Sequence, residues 1–309
     1  MSSESAFTTA LGPCAVRISF DQHESSVLFR AITDFLDPVS SSMTPGVNVH
    51  VRSADAKKFP SRYLVNRTKT RLGFHSPDFE GDFDLERMHV QVAVPDTLDL
   101  RHHFKGKSLR PLWSILAGLL GLRMMHAAAI ARDGYGLLIV GNSGRGKTTL
   151  AATAARHGWE LLSEDTTPVS VQNGEVCAYS LYSSISFTED EIARQGLTVA
   201  ARLEDHERGK RVFHFADLAD RLSTLSGAIP IRKIISLTGF SDQPEIRSST
   251  SIEALRHIAP STVLHDSMKS PTLLRDLSEV VRNAETHSMN LGPHRRSNVE
   301  RLNALCGLS

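Results

Sequence analysis

The chain is poor in every feature that would tie it to an oxidising compartment, a lipid bilayer or a polyanion. It has 3 cysteines, and Cys14, Cys177 and Cys306 stand too far apart for a metal-ligand spacing or a disulfide framework. No apolar run reaches the length of a bilayer span; the longest candidate, residues 112–125, is interrupted by Ser114, Gly118, Gly121 and Arg123. Residues 1–9 are polar and lack the basic start and apolar stretch of a secretory signal. Nor is there an excess of charge. Lys and Arg number 35 against 34 Asp and Glu, and the formal net charge of +1 is far from the basic balance of a nucleic-acid binder. These absences lead to the expectation of a cytoplasmic protein with neither nucleic acid nor membrane as partner. What is left is ordinary globular composition, 40% hydrophobic and 22% charged over 309 residues, enough for one large or two ordinary domains.

Against that background one motif is specific. Gly141, Asn142, Ser143, Gly144, Arg145, Gly146, Lys147 and Thr148 form a complete Walker A loop. Glycines at 141, 144 and 146 let the backbone take positive φ and turn its N–H groups inward as an anion nest, to which the following helix adds its dipole. Lys147 then reaches the β- and γ-phosphates, and the Thr148 hydroxyl is offered to Mg²⁺. The context fits the mechanism. Residues 136–140 are continuously apolar, as a short buried strand is, and residues 149–156 read as a helix stopped by Gly158.

Around the loop the chain divides near residue 105. Before it, the alternating runs 15–20, 47–51 and 89–94 read as strands with one buried face, separated by loops containing Ser, Pro and Gly. This part is read as a small α+β domain over 1–105. It carries no catalytic spacing; His102 and His103 are either a metal pair or solvated polar residues. Residues 108–123 have helical apolar spacing with Ser108 as a cap, and are read as leading into a nucleotide domain over 106–309. Within that domain 125–131 reads as a strand, 132–135 as a tight hairpin turn, and 159–165 as an apolar strand ending in the acids Glu164 and Asp165. Acids at the C-terminal end of a parallel strand share the sheet edge of the phosphate loop.

The ordered set His126, the Walker loop, Gly158 and the Glu164–Asp165 pair resembles the HPr kinase/phosphorylase family, kinases built on a phosphoenolpyruvate-carboxykinase-like P-loop fold. In that family a histidine precedes a loop of the form G-x-S-G-x-G-K-S/T and an Asp-Asp pair follows it. The likeness covers roughly residues 108–309 and is strongest over 124–170. It implies an α/β P-loop kinase domain that uses ATP and Mg²⁺. His126, Glu164 and Lys147 would be catalytic, the first two beside the γ-phosphate and the acceptor hydroxyl. Thr148 and Asp165 would hold the metal, and the loop from Gly141 through Thr149 would bind the nucleotide. Two departures are clear. Glu164 stands where the family has aspartate, and residues 180–202 lack the family's Gly-rich downstream segment, so recognition of HPr and the reverse phosphorolysis are not implied. The pattern looks more like divergent HPr-kinase-like proteins, among them those encoded with lasso-peptide maturation enzymes, whose acceptor is a serine of a precursor peptide. A homo-oligomer remains open.

Three classes of function follow. The first is a kinase acting on a serine or other hydroxyl of a peptide or protein, the second a kinase of a small hydroxylated metabolite, the third an ATP-binding regulatory or assembly protein with little catalysis. His126 and Glu164 separate the third from the others, because a sensor has no need of a proton acceptor at a hydroxyl. Downstream, Lys210 is either a phosphate or acceptor clamp or a solvated charge. Arg232 and Lys233 read as the exposed start of a strand over 229–237. Residues 273–285 and 297–308 have helical periodicity, and His287, His294, Arg295 and Arg296 are read as solvated polar surface or as contacts for a peptide or anion.

Overall fold

The computed structural model describes residues 6–20, 30, 32–39, 44–55, 59, 64–76, 79–96, 109–205, 209–265 and 271–308. The supposed boundary at 105, the pair His102 and His103, and Ser108 lie outside these residues. Alternation of apolar and polar side chains builds the first sheet, as the sequence implies. Its strands are β1 (Ala6–Leu11), β2 (Cys14–Phe20), β3 (Val47–Ala54), β4 (Leu64–Arg67), β5 (Arg71–His75), β6 (Glu80–Asp84) and β7 (His89–Pro95), in the order β1-β2-β3-β7-β6-β5-β4. The central strands β2, β3 and β7 run parallel, and the outer pairs are antiparallel. Val47, Val49 and Val51 are buried while Asn48 and Arg52 face solvent, so one face of the sheet carries the core.

Helix α1 (Arg110–Leu119) covers that face. Pro111 sits in its first turn, where a missing N–H does no harm, and the residue at the cap position is Leu109, in the left-handed region at φ 50°. The helix precedes the second sheet in the chain, but Leu112, Trp113, Ile115 and Leu116 are buried with Val16, Ile18, Val49 and Phe74 in the core of the first sheet, together with Leu181 and Tyr182 from far along the chain.

The second sheet has nine strands: β8 (Arg123–Met125), β9 (Ala127–Arg132), β10 (Tyr135–Val140), β11 (Glu160–Ser163), β12 (Thr167–Gln172), β13 (Glu175–Tyr179), β17 (Ala228–Phe240), β18 (Glu245–Ser248) and β19 (Glu285–Leu291). Its main path runs β11-β9-β10-β17-β13-β12-β8, with β19 on β17 and β18 on β19. The hairpin read at 132–135 joins β9 to β10, with Asp133 at φ 51° and Gly134 at φ 74°, the pair of positive φ values a two-residue turn of matching twist requires. The strand read over 125–131 is broken at His126 into β8 and β9, which pair with different neighbours. Strand β10 lies between antiparallel β9 and parallel β17, and β17 is parallel to β19. Strand β11, which leads to Glu164 and Asp165, has no parallel partner among the named strands, only a parallel bridge from Leu161 to Thr224; it bonds antiparallel to β9 and so points the same way as β10 from one strand further out.

Helices α2 (Lys147–Ala155) and α6 (Arg295–Cys306) pack on one face of this sheet, and α4 (Ser251–His265) and α5 (Leu273–Arg282) on the other. Leu137 and Ile139 enter the first layer, Leu138 and Val140 the second, which is why β10 is apolar without alternation. A third small sheet, ordered β14 (Ser184–Thr188), β16 (Lys210–His214), β15 (Leu203–Asp205), carries α3 (Glu189–Gln195) and adds Phe187 and Phe213 to the core around α2. Among the described residues no helix is long and apolar enough to cross a membrane.

Candidate functional site

Strand β10 delivers the chain to the Walker loop with no room for a side chain. A Cβ on Gly141, at φ 145°, would stand 2.9 Å from the Leu237 carbonyl oxygen of β17, and one on Gly146, at φ 91°, would stand 2.7 Å from a methyl of Leu291 at the end of β19. Gly146 is the cap of α2 and offers no side-chain hydrogen bond, so the first-turn N–H groups of that helix are open to an anion. Asn142, Ser143, Gly144 and Arg145 form the solvent-exposed crest.

Lys147 turns inward from this crest and is buried. Its ammonium donates to Gly141 O at 2.8 Å, to Asn142 O at 3.3 Å and to His126 Nε2 at 2.9 Å, which engages all three of its hydrogens. Burial lowers the pKa of the amine; Asp165 and Glu164 oppose that shift, and the charge of Lys210 adds to it. Lys210, at the start of β16, is therefore within electrostatic reach of the site.

His126 occupies the break between β8 and β9. Its Nδ1 lies 3.1 Å from the backbone oxygen of Asp165 and 3.1 Å from Asp165 Oδ1. An ammonium can only donate, so Nε2 is the acceptor toward Lys147, and Nδ1 carries the hydrogen directed at Asp165. Asp165 adopts φ 67° just past the end of β11, and Arg110, the first residue of α1, holds its guanidinium 3.9 Å from Asp165 Oδ2. Glu164, buried at 4% exposure, points elsewhere: it accepts a 2.5 Å hydrogen bond from Thr148 Oγ1.

The five side chains His126, Lys147, Thr148, Glu164 and Asp165, to which the resemblance gives roles toward phosphate and metal, thus come together. His126 is joined to Asp165, and Thr148 to Glu164. The hydroxyl of Thr149 lies 3.5 Å from Glu191 of α3, a buried carboxylate gripped in bidentate fashion by Arg295 at 2.6 and 2.7 Å. Glu191 and Arg110 escaped sequence reasoning. Glu191 is one of three successive acids, Glu189, Asp190 and Glu191, in the first turn of α3, where acids suit the helix dipole and carry no signal of a site.

Other expectations are corrected. Lys233 is not an exposed strand start: it is buried, bonded to Glu285, with its ammonium 5.9 Å from the centre of the Tyr135 ring. Its neighbour Arg232 is exposed beside Glu175 at 3.4 Å. His287 is not surface either; it lies buried within β19, where desolvation lowers its pKa. His294 caps α6, Arg295 is committed to Glu191, and Arg296 forms an exposed pair with Glu300 at 3.1 Å. Among the described residues no group of three or more His, Cys, Asp or Glu is arranged to hold a metal by itself.

No family model matches the chain, and no curated protein matches it. Among solved structures, the Hpr(Ser) kinase/phosphatase from Coxiella burnetii aligns with a TM-score of 0.32 and 12% sequence identity, over 60% of this chain and 98% of that one. At that score and identity the likeness assigns no residue a role.

Proposed function

We propose that the chain is a Mg-ATP-dependent phosphotransferase that moves the γ-phosphate to a hydroxyl. The observation that carries this reading is the line Asp165, His126, Lys147, in which a carboxylate holds one imidazole nitrogen and the loop lysine covers the other. When Lys147 turns to the phosphates it releases His126 Nε2, whose lone pair then accepts the proton of an incoming hydroxyl. Asp165 fixes the tautomer and stabilises the imidazolium that results. The hydroxyl oxygen bonds to the γ-phosphorus, and the bond from that phosphorus to the bridging oxygen breaks with its electron pair left on ADP. Lys147 and the first-turn amides of α2 meet the charge spread over the phosphate oxygens.

Thr148 Oγ1 and Glu164 Oε1 suit Mg²⁺, a cation that takes oxygen ligands, few of them from protein, and completes its shell with phosphate and water. When bound, the metal supplies neutralisation of the phosphate charge. The motif set resembles that of kinases whose acceptor is a serine, and on that resemblance the acceptor is a serine hydroxyl of a peptide or protein.

The test is transfer of label from γ-labelled ATP to a panel of serine peptides, proteins and hydroxylated metabolites. The unaltered chain labels a serine-containing acceptor, Lys147→Ala abolishes transfer, and His126→Ala slows it by about 10²-fold or more with ATP binding retained. Binding of Mg-ATP without transfer to any acceptor would overturn the reading in favour of a nucleotide sensor. Label on metabolites only would move the acceptor to a small molecule.

A further inference from the structure

We propose that the tips of β17 and β19 seat the nucleoside, with Phe240 presenting an aromatic face to the base. This rests on the reading of the Walker loop as a triphosphate site. The transferring end of such a chain is fixed by His126, Lys147 and Glu164, all on the β9 and β11 side of β10. The nucleoside leaves on the opposite side, toward β17 and β19. Two contacts mark that exit: the backbone of Leu237 lies directly behind Gly141, and the side chain of Leu291 lies directly against Gly146.

Phe240 is the last residue of β17, 66% exposed, and in register with Leu291. Directly paired residues project to the same face of a sheet, and Leu291 projects into the core around α2. Phe240 therefore stands on the face of the phosphate loop, on the strand that lies between β10 and β19. The strand tips around it are pinned. The Ser241 amide donates to Leu291 O at 3.0 Å, and buried Asn298 of α6 accepts from the Gly292 amide at 2.8 Å while donating to Gly292 O at 3.0 Å and His294 O at 3.2 Å. Pro244 closes on Gly292 from the other side, 2.7 Å from where a Cβ would be.

A rigid ledge with one exposed ring suits stacking, which every nucleobase satisfies through its π face and which needs little ordering on binding. Arg295 completes the exit. Held by Glu191 beside Thr149, it balances a carboxylate that would otherwise repel the α-phosphate.

Calorimetric titration of the full chain with Mg-ATP and with magnesium tripolyphosphate tests this. The unaltered chain binds ATP about tenfold or more tightly than tripolyphosphate. Phe240→Ala loses that preference with tripolyphosphate affinity unchanged, and Phe240→Tyr restores it. Retention of the full ATP preference in Phe240→Ala overturns the nucleoside seat and leaves the phosphate site standing. Failure of the unaltered chain to bind either ligand overturns the phosphate site and the seat together.

Discussion

Lys147 is the residue on which stability and chemistry oppose one another. Its pKa is lowered in the folded chain, chiefly by burial. Between the folded value and the ordinary value of about 10.4 the unfolded chain binds more protons, so this group's contribution to stability rises with pH across that window. Below the window its charge is buried at full cost. Lys147→Met removes that cost, and in the absence of nucleotide it raises the melting temperature at pH 7 more than at pH 10. Equal shifts at the two pH values would mean that the amine is solvated. The acid pair gives a second residue-scale prediction. Asp165→Asn disturbs the His126 tautomer and lowers turnover by about 10²-fold or more, whereas Glu164→Gln raises the Mg²⁺ concentration needed for half-maximal rate. The reverse assignment of these phenotypes would restore the roles implied by resemblance. All five candidate residues are named by the sequence, Lys147 and Thr148 by the Walker loop and His126, Glu164 and Asp165 through the family resemblance. Their pairing is not, because it depends on the left-handed backbone of Asp165 and on the longer reach of Glu164 to Thr148.

At the scale of elements, local chemistry was readable where it acts locally. Asp133 and Gly134 announce a hairpin, and the apolar run ahead of Gly141 announces a buried strand. Strand β19 was missed because Thr286, His287 and Ser288 are polar yet buried, held by the parallel neighbour β17 rather than by any hydrophobic period. Helix α4 has no reading in the sequence, and it carries Pro260 in its interior, where proline disfavours a helix. The start of α6 was placed two residues late, at Ser297 instead of Arg295, which hid the role of its first turn. Asn298 in that turn satisfies three backbone groups of the preceding bend. Asn298→Ala leaves buried partners unpaired and costs about 1–3 kcal/mol, measurable as a lowered midpoint in urea at unchanged slope. A loss under about 0.5 kcal/mol would show that water replaces the side chain.

The division read near residue 105 falls outside the described residues, and the core beside it draws on both parts of the chain. Helix α1 follows that point, yet its apolar side chains belong to the first sheet, and Leu181 and Tyr182 from the second half join them there. No periodicity reveals this, because a helix with one apolar face does not say which sheet it will cover. Trp113 is completely buried in that shared core, and Trp113→Ala is expected to cost about 3–5 kcal/mol, read by chemical unfolding. Arg110 opens the same helix and reaches Asp165, so the packing of the first sheet sets where a charge stands beside His126. The two halves are therefore not interchangeable cassettes. Recombination that replaced the first with the equivalent piece of another protein would have to import a helix that begins with an arginine at the same point in space, and a junction ahead of α1 would part the first sheet from the helix that covers it.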